Sequence, residues 1–430
     1  MKTLFSCLAV WFVCGFAVGQ EPVPKSSWSS FRNGPEQRGV ATSELTKDLE
    51  LLWDLKSPDG WLSTAAIVDG RVYAPALEGY VYCLDLQSGK ELWKYRSIKD
   101  PDPKKFAAGF KAAPTVTKDA VYVGDEDGYF HAIDRKTGKG KWVFETGAEI
   151  AGGAAVYKGN LLVPSHDASL YFIDPSGKEV WHFETQDRVN CSPALAGDFT
   201  FVAGCDEHLR VIDLKKREEV RDVPLGSYLI ASPALYGDIL YVGAYVGEVA
   251  AINWKTGEYV WRYKTEREME FHASAAVTKD SVLVGGHDKT LHCIDRKTGK
   301  KRWVFETKAR INSSAAVVDD RVFFGSDDGN VYGLSLKTGK QVWKFTAGKD
   351  VSAGVAIGDG CLVVGSSGGN GRLYCFGSKK KPAKPAGKSV QAGSSMPRLQ
   401  LPVQQRFSIL THKPDLSRHS MPVMRSFAKW

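Results

Sequence analysis

The chain has 430 residues, 43% of them hydrophobic and 11% aromatic, with 12 Trp and 43 Gly, a composition of strands and turns able to bury a large core. This excludes disorder for most of the chain. The net charge of +8 does not describe the body, because from Lys379 onward eleven Lys or Arg face the single acid Asp415 and the remainder is slightly acidic. A near-neutral body argues against nucleic-acid binding.

Residues 1–19 read as a signal peptide: Lys2 gives a positive start, Leu4 to Val18 is apolar, and Ala17-Val18-Gly19 offers a small-residue cleavage site. The apolar run is shorter than the roughly 20 residues a membrane span needs, and no later run approaches that length. An exported protein without a transmembrane segment is expected, periplasmic or extracellular, and a monomer. Cys14 follows Trp11-Phe12-Val13, which does not suit a lipidated cysteine. Residues 20–49 are expected to form an N-terminal extension packed on the body.

From residue 50 to 377 one phrase repeats. Asp85-Leu-Gln-Ser-Gly89-Lys-Glu-Leu-Trp93 returns as Asp134-Arg-Lys-Thr-Gly138-Lys-Gly-Lys-Trp142 and as Asp295-Arg-Lys-Thr-Gly299-Lys-Lys-Arg-Trp303. Looser copies end at Trp181, Trp261 and Trp343, and a degenerate one starts at Asp213, with Arg217 for the Gly and Arg221 for the Trp. With Trp53 these positions recur about every 40 residues, the period of a propeller blade. Each unit reads as four short strands. In the fifth these are Ala231 to Leu235, Ile239 to Gly243, Glu248 to Ile252 and Glu258 to Tyr263, with Gly or Asp at every break.

The small residues Ala112-Ala113, Gly152-Gly153, Ser313-Ser314 and Ala353-Gly354 are placed in the innermost strands, where blades crowd the axis. Trp53, Trp93, Trp142, Trp181, Trp261, Trp303 and Trp343 are expected to wedge between blades. Burying roughly 200 Å² each at about 25 cal/mol/Å² is on the order of 5 kcal/mol gross. After Trp343 only three strands remain: Ser352 to Ile357, Cys361 to Gly365 and Arg372 to Phe376. Leu51 to Leu55 at the front supplies the fourth, which closes an all-β, eight-bladed propeller and removes its sheet edges. Residues 378–430 read as a basic disordered tail, either solvated or in contact with an anionic surface.

The Asp-x-x-Thr-Gly-Lys-x-x-Trp phrase resembles the tryptophan-docking repeat of pyrroloquinoline quinone (PQQ) dehydrogenases and of the outer-membrane assembly factor BamB. Trp28-Ser-Ser-Phe31-Arg32-Asn-Gly34 is similar to the Trp-x-x-Phe-Arg opening of secreted members. Membership of the dehydrogenase branch would imply PQQ held by a vicinal cysteine disulfide and a tryptophan floor, Ca²⁺ on Glu and Asn, and an Asp base. This sequence has no adjacent Cys pair and no long insertion beyond Ser97 to Phe110, and no acid matches the base or the metal ligands. The BamB branch implies a non-catalytic scaffold that presents loops to envelope or extracellular proteins, with no catalytic residues and no cofactor. A PQQ-dependent oxidoreductase, or a PQQ or small-ligand sensor, is the alternative.

Loops leading into the first strands are expected to rim one mouth of the channel. Lys111, Glu149, Arg188, Asn190, Tyr228, His272, Arg310 and Asn312 are the candidate ligand or partner residues, alternating with inward apolar residues such as Phe110 and Phe271. Lys111, Arg188 and Arg310 would suit an anionic ligand. No CxxC or Cys/His cluster suggests a metal, and His166, His208, His287 and His292 lie at no ligand spacing, as surface or half-buried residues. Cys191 with Cys205 and Cys361 with Cys375 are either disulfides across neighbouring strands or small buried thiols.

Overall fold

A computed structural model describes residue 24, residues 26–100, residue 102 and residues 104–379. The expected signal peptide and nearly all of the basic tail lie outside the described residues. The described residues form eight four-stranded antiparallel sheets and no helix. Blade 1 pairs Ala66–Val68, Arg71–Pro75, Tyr80–Asp85 and Glu91–Arg96 in order, and each later blade repeats that meander. Blade 8 takes Ala356–Gly358, Cys361–Gly365 and Arg372–Gly377 from the end of the body and Glu50–Lys56 from its start. The last two run antiparallel in the register Asp54↔Tyr374 and Leu55↔Leu373, so the ring is an eight-bladed propeller closed by its own N-terminal strand.

The turns explain why the repeat carries its particular residues. In blade 2, Asp134 Oδ1 accepts the Thr137 N–H at 2.8 Å, and Gly138 closes the hairpin at φ 73°. That turn is also where the preceding blade's Trp rests: Trp93 Nε1 donates to Arg135 O at 3.1 Å, and a Cβ on Gly138 would lie 2.7 Å from the indole. The same contact joins Trp53 to Leu86 O, Trp142 to Pro175 O, Trp261 to Arg296 O and Trp303 to Leu336 O. Between blades 4 and 5 the guanidinium of Arg221 stands in, donating to Thr256 O at 3.0 Å. Apart from Trp261, which is 9% exposed, these indoles are half-buried, so each contributes less than a fully buried Trp.

The innermost strands are shorter than the sequence pattern suggests. Blade 5 begins its first strand at Ala234, and blades 2, 3, 7 and 8 begin theirs at Thr115, Ala155, Ala316 and Ala356. The small residues ahead of those points leave the ladder because their polar groups bond across blades instead. Ser192, Ser232 and Ser274 donate their backbone N–H to the hydroxyls of Ser232, Ser274 and Ser314 at 2.8 to 2.9 Å, and Gly153 N–H donates to Ser192 Oγ at 2.8 Å.

Residues 26–43 circle the axis at the far end of the inner strands. The inner strands receive them edge-on: Val116, Leu195, Leu235, Val277 and Val317 donate their N–H groups to the carbonyls of Ser29, Pro35, Glu36, Arg38 and Gly39, at 2.8 to 2.9 Å. Trp28 is fully buried and exchanges two backbone bonds with Ile67 in blade 1. The fully buried Arg32 reaches Ala275 O in blade 6 and Ala315 O in blade 7. Burial pushes its guanidinium down to about 9. All six described cysteines are free: Cys191 donates to Ala231 O, while Cys205 accepts from Asn190 Nδ2.

Candidate functional site: the open channel mouth

At the end of the channel opposite Arg32 the inner loops enclose a cavity of about 260 Å³. Its wall is two stacked rings. The outer one carries Leu62, Lys111, Ala151, Asn190, Ile230, His272, Asn312 and Ser352, and the inner one is the Ser, Gly, Ala and Thr collar that includes the serine relay. Phe31 of the N-terminal segment lines it as well. Extended backbone alternates sides, so the residue just before each outer-ring position, such as Phe110, Ile150, Phe271 or Ile311, is fully or almost fully buried between blades.

Of the candidate residues, Lys111, Asn190, His272 and Asn312 are thus brought together on the cavity wall. Glu149, Arg188, Tyr228 and Arg310 stand one step further out. Each of these four accepts, through its carbonyl, the N–H of a residue in the turn after the second strand: His166, Cys205, Tyr245 and Asp327 respectively, at 2.9 to 3.2 Å. Glu270 and His287 repeat the pattern at 2.9 Å. The turn residues form a further ring that the candidate set omits. Its signal is the second residue after each Val-x-Val-Gly-like strand end, variable where the strand itself is not.

This ring neutralises much of the expected cationic character. Lys111 Nζ lies 2.8 Å from Glu126 and 3.1 Å from Glu149. Burial alone would lower its pKa, and the two carboxylates overcome that and raise it. Arg310, although exposed, has its Nε 2.9 Å from Asp327, and Arg188 is exposed as well.

On blade 6 three groups converge. Glu270 Oε2 lies 3.0 Å from His272 Nε2 and 2.9 Å from His287 Nδ1, and the two imidazole centroids are 4.0 Å apart. Burial holds His272 below the ordinary imidazole range, with the neighbouring His287 adding to it. For Glu270, burial would raise the pKa, but the Tyr245 hydroxyl and the two histidines prevail and lower it. His287, read from the sequence as lying at no ligand spacing, therefore belongs to a cluster able to hold a metal ion. Of the remaining histidines, His166 sits 3.7 Å from Glu149, and His208 pairs with Asp222 at 2.7 Å. His292 is not a surface or half-buried group: it is 4% exposed, and Asp288 and the Tyr263 hydroxyl satisfy both of its ring nitrogens.

The sequence profile described as outer membrane protein assembly factor BamB matches residues 44–154, 144–345 and 327–382. The chain belongs to the BamB family. The BamB of Burkholderia pseudomallei is 27% identical over 122 residues, 28% of this chain and 31% of that protein. The quinohemoprotein alcohol dehydrogenase of Comamonas testosteroni is 33% identical over 154 residues, 35% of this chain but 16% of that enzyme. The chain thus matches under a third of the length of these curated relatives. Among solved structures, BamB of Moraxella catarrhalis superposes with a TM-score of 0.64 at 18% identity, covering 78% of this chain and all of that one. A europium-containing methanol dehydrogenase gives 0.69 at 13% identity, covering 83% of this chain and 98% of its own. At such identities the superpositions show the fold that BamB shares with these enzymes.

The quinone of the dehydrogenase branch is a planar tricarboxylate. At this mouth Lys111 and Arg310 already face carboxylates, and Glu149, Glu270 and Asp327 crowd the same rim.

Proposed function

We propose that the protein is an exported, non-catalytic scaffold that holds an envelope or extracellular protein on the open mouth of its channel. The observation that carries this reading is an apolar patch on blades 5 and 6, where Tyr228, Ile230, Tyr245, Val246 and Met269 are all exposed, Tyr228 by 47% and Met269 by 42%. The Tyr228 and Tyr245 rings lie 6.3 Å apart, and Tyr245 stacks on His272. Ile230 continues the patch into the cavity. Aromatic and Met side chains exposed together beside a polar rim have the make-up of an interface centre. Membership of the BamB family supports a protein as the occupant, and the signal-like N-terminus supports export.

A photocrosslinking residue at position 228 should give discrete adducts with envelope proteins in cells. The same residue at position 342, on the outer strand of blade 7, should give none, and Met269→Asp should remove the adducts at position 228. Equal labelling from both positions would count against the mouth as the binding face. Turnover of an alcohol with added PQQ and Ca²⁺, read by dye reduction, would overturn the non-catalytic reading in favour of the oxidoreductase.

A further inference from the structure

We infer that Glu270, His272 and His287 form a divalent transition-metal site of the zinc class, open toward the channel. Their ligand atoms all lie within 4.8 Å of one another, and the two nitrogens stand 3.0 and 2.9 Å from one carboxylate oxygen. A tetrahedral ion with bonds of about 2.0 to 2.1 Å needs ligand separations of about 3.3 Å, so the two oxygen–nitrogen pairs would open by a few tenths of an ångström while the imidazoles turn to bring their nitrogens, now within 4.8 Å, onto one ion. Two imidazoles and one carboxylate select zinc, cobalt or nickel over calcium or magnesium, which take oxygen ligands.

The hydrogen-bond chain behind His287 decides which of its nitrogens faces the site. Asn312 Nδ2 donates to Asp327 Oδ2 at 2.8 Å, so Asn312 Oδ1 must accept from His287 Nε2–H at 2.8 Å. The Nε2–H tautomer leaves the lone pair of Nδ1 pointing at Glu270. Two lone pairs facing each other at 2.9 Å require a proton shared between them or a cation bound by both. Arg310 and Ser352 both hydrogen-bond Asp327, fixing the outer end of the chain. An imidazole whose far N–H is held by an anchored acceptor is the usual setting of a metal-bound histidine.

Blade 3 provides an internal control. Glu149, His166 and Asn190 occupy the positions of Glu270, His287 and Asn312, but Ala151 stands where blade 6 has His272. There the Lys111 ammonium, from the preceding blade, neutralises the carboxylate. The matching position before blade 6 is the apolar Ile230, and the cationic neighbour Arg310 is held by Asp327. One copy of the motif is thus supplied with a side-chain cation, and the other with one more ligand, His272. Next to the cluster a space of about 470 Å³, bounded by Leu62, Arg310, Asn312 and Ser352, leaves a coordination position for water or an anionic group. The inference goes beyond the scaffold reading and does not depend on it.

Untagged full-length protein titrated with Co²⁺ should develop the intense visible bands of a four- or five-coordinate ion at one equivalent, and Zn²⁺ should displace them. His272→Gln changes a group at the open rim and should keep the fold, checked by circular dichroism, while weakening Zn²⁺ binding at least 100-fold. Asn312→Ala should weaken it by about 10- to 100-fold through loss of the support on His287. His166→Gln should leave it unchanged. Absence of saturable Co²⁺ or Zn²⁺ binding by the folded protein, or affinity retained in His272→Gln, would overturn the site. Neither result bears on crosslinking from position 228, so the two readings fail separately.

Discussion

The two ends of the channel are built on opposite principles. At the far end the N-terminal segment is stitched to inner strands around the ring, its guanidinium bridges blades 6 and 7, and Trp28 is fully buried. At the near end the corresponding residues pair with their neighbours through side chains and leave a cavity, exposed aromatics and a His/His/Glu cluster. The N-terminal segment covers one end and leaves the other open, and the side chains at the open end differ from blade to blade.

Substitutions should separate the two ends. Gly39 lies at φ 64°, and a Cβ there would fall 1.9 Å from Arg32 Nη2, so Gly39→Ala should cost about 3 kcal/mol, read from the denaturant midpoint. A cost under about 1 kcal/mol would show the closed end to be as adaptable as the open one. Phe31→Ala should cost less, about 1 to 2 kcal/mol, because the ring is only partly buried; it should also deepen the cavity, which a crystal structure would reveal. At the open end, Arg188→Ala combined with Arg310→Ala should shift stability by no more than about 0.5 kcal/mol, since both side chains are exposed. The same pair should abolish binding of any anionic ligand at the mouth, and unchanged affinity would remove the anion reading.

The smallest effect is a pH dependence confined to the open end. Burial holds His166 and His272 below the ordinary imidazole value, while Glu179 holds His182 above it. Below about pH 6.5 the unfolded chain binds protons that His166 and His272 refuse in the fold, so these two lower stability as pH falls until they titrate. NMR should show both titrating below His182, and the reverse order would contradict the burial assigned to the mouth.

Much of this was legible from residue spacing, because a blade is a local object. The Asp-x-x-x-Gly turn, the Trp after it and the alternation of Phe110 or Phe271 with rim residues all lie within a few residues of one another, and the missing fourth strand of the last blade pointed to Leu51 to Leu55. Even Arg221 could be identified as the odd member of the Trp series, although its bond to Thr256 O could not. The limits appeared where partners are distant in the chain. Glu270 and His272 are two residues apart on an extended segment and share a face by necessity.

What the amino-acid order determined alone was the blade count, the strand pattern and the ring of loop residues, since repeats and turn chemistry act over short separations. Tertiary structure alone decided that His287, fifteen positions beyond His272, joins it on Glu270; that Glu126 and Asp327 quench Lys111 and Arg310; and that residues 26–43 seal one mouth. Those outcomes depend on which loops the closed ring sets side by side, a relation between blades that no single repeat encodes.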